Sequence, residues 1–373
     1  MKNPSVPFVD LHAQYQTIKV EIDQAIADVI ENSSFIRGAQ VESFEKNFAS
    51  RVGSPHCVSC ANGTDALYIA MIGLKLKAGD EVIVPAMSWI STSETVTQAG
   101  GTPVFCDVDQ DTYTIDPDCI KQKLTSRTVG IIPVHIYGQP ADMASVMKLA
   151  EEHNLWVLED CAQAHLATFN GRTVGTFGVA GSFSFYPGKN LGAMGDAGAV
   201  VTAHADLAHY MTMFARHGGV RKGDHQIEGI NSRLDGLQAA ILDVKLPHLD
   251  QWTKARQRVA GVYHEKLKGI PGLTLPMCAP EREHVFHLYV IRHQRRNELA
   301  QFLSEKGIQT VINYPVSLPF LPAYKRYGHQ HADFPNAFAL QETCLSLPIF
   351  PELTAEQQQY VVDSVVEFCA GTH

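Results

Sequence analysis

The stretch Gly181-Ser-Phe-Ser-Phe-Tyr-Pro-Gly-Lys-Asn-Leu-Gly-Ala-Met-Gly-Asp-Ala-Gly198 reads as a strand running into a glycine-rich loop that carries Lys189. Ser182, Ser184 and Tyr186 alternate with Phe183 and Phe185, the period of two expected of a half-buried strand. Pro187-Gly188 then stops the strand. Lys189 is therefore placed at a strand end, where a rigid sheet can hold an amine steady. Two phosphate-binding readings fail at this loop. The Gly188-Lys189 pair lacks a glycine at the Walker A spacing and is followed by Asn190 in place of Ser or Thr. Gly188, Gly192, Gly195 and Gly198 do not match the dinucleotide fingerprint, and no helical pattern follows them.

A lone lysine in such a loop is by default a solvated surface charge. Two other segments change that reading. Leu155-Trp-Val-Leu-Glu-Asp160 is an apolar run ending in two carboxylates, followed by Cys161-Ala-Gln-Ala-His165. Asn62-Gly-Thr-Asp-Ala-Leu67 is a strand-to-helix turn with small polar residues at the helix start. A lysine to form an imine, a carboxylate to hold a pyridinium nitrogen and a helix N-terminus to take a phosphate are the parts that pyridoxal phosphate needs. Asp160 closes a buried run, where an unpaired carboxylate is costly. Read without that cofactor it would be a helix N-cap, and Thr64 an ordinary cap.

On these motifs the chain resembles the DegT/DnrJ/EryC1/StrS group of sugar aminotransferases, from Pro7-Phe-Val-Asp-Leu11 to Ser346-Leu-Pro-Ile-Phe350. The resemblance implies an α/β protein of fold type I, a mainly parallel mixed sheet covered by helices. It implies a large cofactor-binding domain over 1–250 and a smaller C-terminal α+β domain over 251–373. It implies pyridoxal 5'-phosphate as cofactor, with pyridoxamine 5'-phosphate as intermediate and Lys189 as Schiff base and proton shuttle. The Glu-Asp-x-Ala-Gln pattern selects Asp160 over Glu159 for the ring nitrogen and puts Gln163 beside the ring hydroxyl. Gly63, Thr64 and Ser184 match phosphate-binding positions, and Trp89 matches the aromatic residue that stacks on the ring. Asn231, in Gly229-Ile-Asn-Ser-Arg-Leu-Asp235, matches an asparagine given to the phosphate site of the neighbouring subunit, which implies a homodimer with shared active sites. His165, Tyr186 and Tyr314 are the candidate substrate contacts, with a structural histidine the equal alternative for His165. Many relatives have His-Tyr-Pro where this chain has Asn313-Tyr314-Pro315, so an imidazole contact does not carry over.

The activity implied is amination of a nucleotide-linked keto sugar, 3-keto in preference to 4-keto, with L-glutamate as donor, for a surface polysaccharide or a glycosylated metabolite. A 4-keto or non-nucleotide sugar is the alternative substrate. A sugar dehydratase of the same group would have histidine in place of Lys189. A non-catalytic regulatory protein on the same fold would have no need to keep Lys189, Asp160, Gln163 and Ser184 together.

Composition agrees with a folded enzyme. The 373 residues suffice for one large domain and a companion, and 45% hydrophobic with 18% charged residues is not a disordered profile. A formal charge of −9 without a clustered basic run argues against nucleic acid as a partner. Met1-Lys-Asn-Pro-Ser-Val-Pro-Phe8 has no apolar core of signal-peptide length, and no run reaches the length of a membrane span, so a cytoplasmic location and no membrane partner are expected. The eight cysteines are scattered, and Cys57 and Cys60 form one CxxC without a second pair, so no metal is expected.

Along the chain, residues 13 to 32 and 40 to 51 read as helices, the first with a stripe of Ile18, Ile22, Ile26 and Ile30. Apolar runs at 81–84, 102–106, 130–134, 156–159, 182–186 and 199–201 alternate with helical segments, predicting a mainly parallel sheet with ligands at the strand ends. Residues 232 to 270 read as a long helix or helix pair. Beyond it, 286–291 reads as a strand, 296–306 as a helix and 307–311 as the next strand.

Overall fold

The structure, a computed structural model, describes residues 5–221 and 223–371. Its first helices are α1 (Leu11–Thr17), α2 (Lys19–Glu31) and α3 (Ala39–Val52). The first expected helix is broken at Ile18, whose φ of −128° and ψ of 22° lie outside the helical region. Its isoleucine stripe also stops short: Ile18 and Ile22 are buried, but Ile30 is 57% exposed and Val29 is buried instead. A repeat of four overshoots the helical turn by about 40° at each step, so the stripe rotates off the core-facing side.

The central sheet is built from β1 (His56–Cys60), β2 (Glu81–Pro85), β3 (Thr102–Cys106), β4 (Thr128–Ile131) and β5 (Trp156–Asp160). After a short hairpin, β6 (Thr168–Phe169) and β7 (Arg172–Thr173), it is completed by β8 (Ala180–Ser184) and β9 (Gly198–Thr202). Strand order is β1-β9-β8-β5-β4-β2-β3, with β9 antiparallel to both neighbours and the other pairs parallel. The connections include α4 (Gly63–Gly73), α5 (Ser91–Gln98), α6 (Pro117–Lys123) and α7 (Met143–Glu152), followed after β9 by α8 (Ala205–Phe214). The two faces of the sheet lie in different apolar clusters: Val82, Val84 and Leu158 pack with α4, while Ile83, Ile131 and Val157 pack with α6 and α7. This is the near-continuous apolar pattern of a sheet covered on both sides.

The expected strand at 182–186 lies two residues earlier, because its ladder to β9 ends at the Ser184–Gly198 pair. The alternation outlasts the ladder: Phe185 is fully buried and Tyr186 is 60% exposed. Residues 232 to 270 resolve into α9 (Gly236–Lys245) and α10 (Leu249–Leu267), joined by a turn of 3₁₀ helix at Leu246–His248.

The C-terminal sheet joins β10 (Leu273–Thr274), β12 (Tyr289–His293) and β13 (Cys344–Leu347), while β11 (Arg282–Glu283) pairs with β6. Helices α11 (Arg296–Glu305), α12 (Pro335–Thr343) and α13 (Ala355–Cys369) complete the chain. The strand expected at 286–291 begins only at Tyr289, since Phe286 has a φ of 45°. The one expected at 307–311 is reduced to two single bridges, Ile308 to Val6 and Val311 to Ser346, because its two sides meet different segments. Packing crosses residue 250 in both directions. Val6 joins the C-terminal cluster of Tyr263, Ile291 and Leu345, and Phe334, Ala337 and Leu340 join the cluster of the central sheet.

Candidate active site

The C-terminal ends of β1, β2, β4, β5 and β8 share one edge of the sheet, and the segments that leave them carry most of the residues singled out from the sequence. Beyond β1, Asn62 caps α4 by accepting the Asp65 N–H at 2.8 Å. The N–H groups of Gly63 and Thr64, in the first turn, have no acceptor within the helix. Asn62 thus takes the capping role, and the Thr64 hydroxyl instead meets Ser91 Oγ at 2.7 Å. Gly63 is pressed against β8: a Cβ there would stand 2.5 Å from the Ser184 Cβ.

The two carboxylates at the end of β5 point to opposite sides and do different work. Glu159 is fully buried and accepts the N–H groups of Gly175, Phe177 and Gly178 at 2.7, 2.7 and 2.8 Å, with His135 Nε2 at 3.1 Å. Since His135 Nδ1 accepts the Ala141 N–H, Nε2 carries the proton and donates to Glu159. Cys161 lies close enough to complete a three-donor group with this pair, but His135 and Glu159 are committed to these bonds and burial holds the Cys161 thiol well above its usual range. Among the described residues the Asp160 carboxylate has only Thr92 Oγ1 at 2.9 Å and the Ala162 N–H at 3.2 Å. Burial raises its pKa, opposed by these two hydrogen bonds and by the Lys189 charge. No helix follows Asp160, so it is not an N-cap.

Lys189 is half-buried, and burial pushes its amine down to about 8, with Asp160 acting in the opposite direction. Its Nζ has no hydrogen-bond partner among the described residues, whereas its loop is fastened at several points. The Lys189 N–H donates to Tyr186 O at 2.8 Å, Asn190 Nδ2 to Val285 O at 3.0 Å, and the buried Lys245 Nζ to Gly192 O at 2.7 Å. Gln163 is buried near Asp160, with Oε1 receiving the Tyr137 N–H and Nε2 donating to Tyr314 Oη at 2.9 Å. The Tyr314 ring lies 5.7 Å from that of Trp89, which is 59% exposed.

Of the candidate substrate contacts, His165 lies in the interior. It is fully buried, its ring 5.7 and 5.6 Å from those of Phe183 and Phe185. Burial drives its pKa to about 3, so it is neutral; its ring nitrogens make no hydrogen bond of normal geometry, although the Ser184 backbone is a polar neighbour. An apolar strand stacked on helix α3 has drawn it into the aromatic cluster. Tyr186 and Asn231 are both exposed, and within the chain no hydrogen bond joins either side chain to the Lys189 group. The sequence reading missed Thr92, hidden among the hydroxyls of Ser91-Thr-Ser93, and Tyr137, which no motif marks.

The sequence pattern of the DegT/DnrJ/EryC1/StrS aminotransferase family matches residues 16–366. The chain belongs to this family. The aminotransferase is 42% identical over 367 residues to dTDP-3-amino-3,4,6-trideoxy-alpha-D-glucose transaminase of Streptomyces venezuelae, covering 98% of this chain and 97% of that one. It is 44% identical over 359 residues to UDP-N-acetyl-3-dehydro-alpha-D-glucosamine 3-aminotransferase of Acidithiobacillus ferrooxidans, covering 95% and 96%. It superposes with a TM-score of 0.97, at 42% identity over 99% of this chain and 100% of the other, on the crystal structure of S. venezuelae DesV in complex with a ketimine intermediate. The fold is thus that of the pyridoxal phosphate aminotransferases, and the protein is a sugar aminotransferase dependent on this cofactor, held as pyridoxamine phosphate in one solved relative. The site fits it: among the described residues Asp160 is a buried carboxylate without an ion pair, Lys189 an amine without a hydrogen-bond partner, and the start of α4 offers open N–H donors.

Proposed function

We propose that the protein aminates the C3 ketone of a nucleotide-linked sugar, taking the amino group from L-glutamate and releasing 2-oxoglutarate. The observation that carries this reading is the meeting of Lys189, Asp160, Gln163 and the start of α4 at one sheet edge, in a chain of this family. When bound, pyridoxal phosphate supplies an aldehyde that captures amines and a ring that accepts the electron pair released beside it. Lys189 is the residue that would hold the cofactor at rest, and its Nζ would carry the proton in the reaction. Its lowered pKa favours the neutral amine that this role needs. Asp160 would hold the ring nitrogen in its protonated form. Gln163 would donate its second amide hydrogen to the ring oxygen, Trp89 would cover the ring face, and Gly63, Thr64 and Ser184 would hold the phosphate. Tyr186 and Tyr314 line the sugar side.

The C3 preference is supported by the names of the two relatives above, both of which aminate at position 3. A homodimer is supported by the exposed apolar residues Phe35, Ile36 and Val220, on segments bonded to one another and to the segment of Asn231, surface that a partner subunit would cover. Asn231 then reaches the phosphate of the partner's site. Among the described residues no helix is long and apolar enough to cross a membrane. The test is borohydride reduction of the yellow protein followed by peptide mapping, with 3-keto and 4-keto nucleotide sugars then offered to the pyridoxamine form. Cofactor fixed on Lys189 and NMR signals for amination at C3 are expected. Label on another lysine overturns the site, and amination only at C4 overturns the substrate.

A further inference from the structure

Tyr137 stands where three segments distant in sequence meet. It follows β4, is 3% exposed, and adopts a φ of 59° and a ψ of 0°, a left-handed conformation that residues with a Cβ rarely take. That backbone turn aims its polar groups at three different targets. Its N–H donates to Gln163 Oε1 at 2.5 Å, beyond β5. Its phenol donates to the Asn313 carbonyl, just before Tyr314. Its own carbonyl accepts the Leu288 N–H at 3.2 Å, beside β12. The ring is held edge-on by Tyr113, with centroids 6.0 Å apart. Burial pushes the phenol pKa far up, so the hydroxyl keeps the proton it donates.

These bonds determine how the neighbouring groups are presented. A backbone N–H can only donate, so Gln163 must turn its oxygen to Tyr137 and its nitrogen to Tyr314 Oη. One hydrogen of that nitrogen is used by Tyr314, and the second is available to another acceptor. Asn313 has a second anchor, since its Oδ1 accepts from Ser346 Oγ at 2.9 Å in β13. Its side chain is thereby turned into the C-terminal sheet.

We propose that Tyr137 is a positioning residue that sets the spacing between Gln163 and Tyr314. It holds the first through its backbone and the second through the Asn313 carbonyl. The two together form one wall of the site, so the clamp decides where the sugar and the oxygen-bearing edge of the cofactor ring come to rest. The ligands in this statement rest on the function proposed above, but the clamp does not.

The full chain is compared with Tyr137→Phe, Tyr314→Phe and the double variant. In protein stripped of cofactor, hydrogen exchange over residues 311–318 is expected to be about fivefold faster or more in Tyr137→Phe, with the β1–β9 ladder unchanged. In the loaded protein, kcat/KM for the keto-sugar half-reaction is expected to fall about tenfold in Tyr137→Phe. The dissociation constant for pyridoxamine phosphate should rise several-fold in each single variant, and the double variant should be no worse than Tyr314→Phe alone. Unchanged exchange, or losses that multiply in the double variant, would overturn the proposal. If the parent chain does not bind pyridoxamine phosphate, the functional reading fails and the exchange result alone decides the clamp. Should Tyr137→Phe not fold, Tyr137→His, too short to reach Asn313, is read by the same outcomes.

Discussion

One step along β5 separates Glu159, a carboxylate held by structural bonds, from Asp160, the carboxylate proposed above to meet the cofactor ring. Glu159 gathers three backbone N–H groups and His135, whereas Asp160 accepts from Thr92 and Ala162 and feels the Lys189 charge. Glu159→Gln introduces an amide that cannot accept all four donors, and a loss of about 2–4 kcal/mol in urea denaturation is expected. Asp160→Asn should unfold like the parent and retain some cofactor, yet lose about a hundredfold or more in transamination rate. A dead Glu159→Gln beside an active Asp160→Asn would exchange the two roles. Lys189 offers a test by pH. Its folded-state pKa of about 8 lies below the unfolded value of 10.5, so the unfolded chain binds more protons between these values and stability contributed by this group rises with pH there. Below pH 8 the buried charge costs stability in full. Cofactor-free Lys189→Met is therefore expected to melt above the parent at pH 7.5, with the gap narrowing toward pH 10. A gap that stays constant across this range would mean that Lys189 is not perturbed by burial.

At the scale of elements, the start of α4 and the first residue of β9 are in such close approach that only glycine fits between them. A Cβ on Gly198 would lie 2.3 Å from the Asn62 carbonyl carbon, so substitution must push the helix start away from the sheet edge. Gly198→Ala is expected to cost about 1–3 kcal/mol and to weaken binding of pyridoxamine phosphate, measured by denaturation and by fluorescence titration. Gly261, exposed within α10 with nothing near its would-be Cβ, is the control. Gly261→Ala should gain about 0.5–1 kcal/mol without touching the cofactor. Equal effects at the two glycines would show that the close approach at α4 is not what positions the phosphate site.

For the whole molecule, the decisive matter is whether the site is complete within one chain. Asn231 and Tyr186 are exposed, and Phe35 and Ile36 near Asn231 are 48% and 49% exposed, which is the arrangement a shared site requires. Lys189→Ala and Asn231→Ala homodimers are each expected to be impaired, while verified mixed dimers should recover about half of the parent sites' share, one of two, as counted by activity per dimer. No recovery would place the action of Asn231 within its own subunit.

The central motifs were legible in the sequence because their chemistry is local. Period-two alternation marked the strands, small polar residues marked the start of α4, and the adjacent carboxylates of β5 had to point to opposite faces. Lys189, Asp160 and Gln163 could be named from such patterns and the family resemblance. Tertiary structure alone decided the rest. His165 reads as polar but is drawn into a phenylalanine cluster, Ile30 leaves the core because its helix rotates it outward, and residues 307–311 lose their ladder to two separate partners. Tyr137 carries no motif, since its bonds run to Gln163 and Asn313, 26 and 176 positions away, and Gln163 in turn reaches Tyr314, 151 positions further on. Such contacts form only when the folded chain brings distant segments together, and short-range pattern has no access to them.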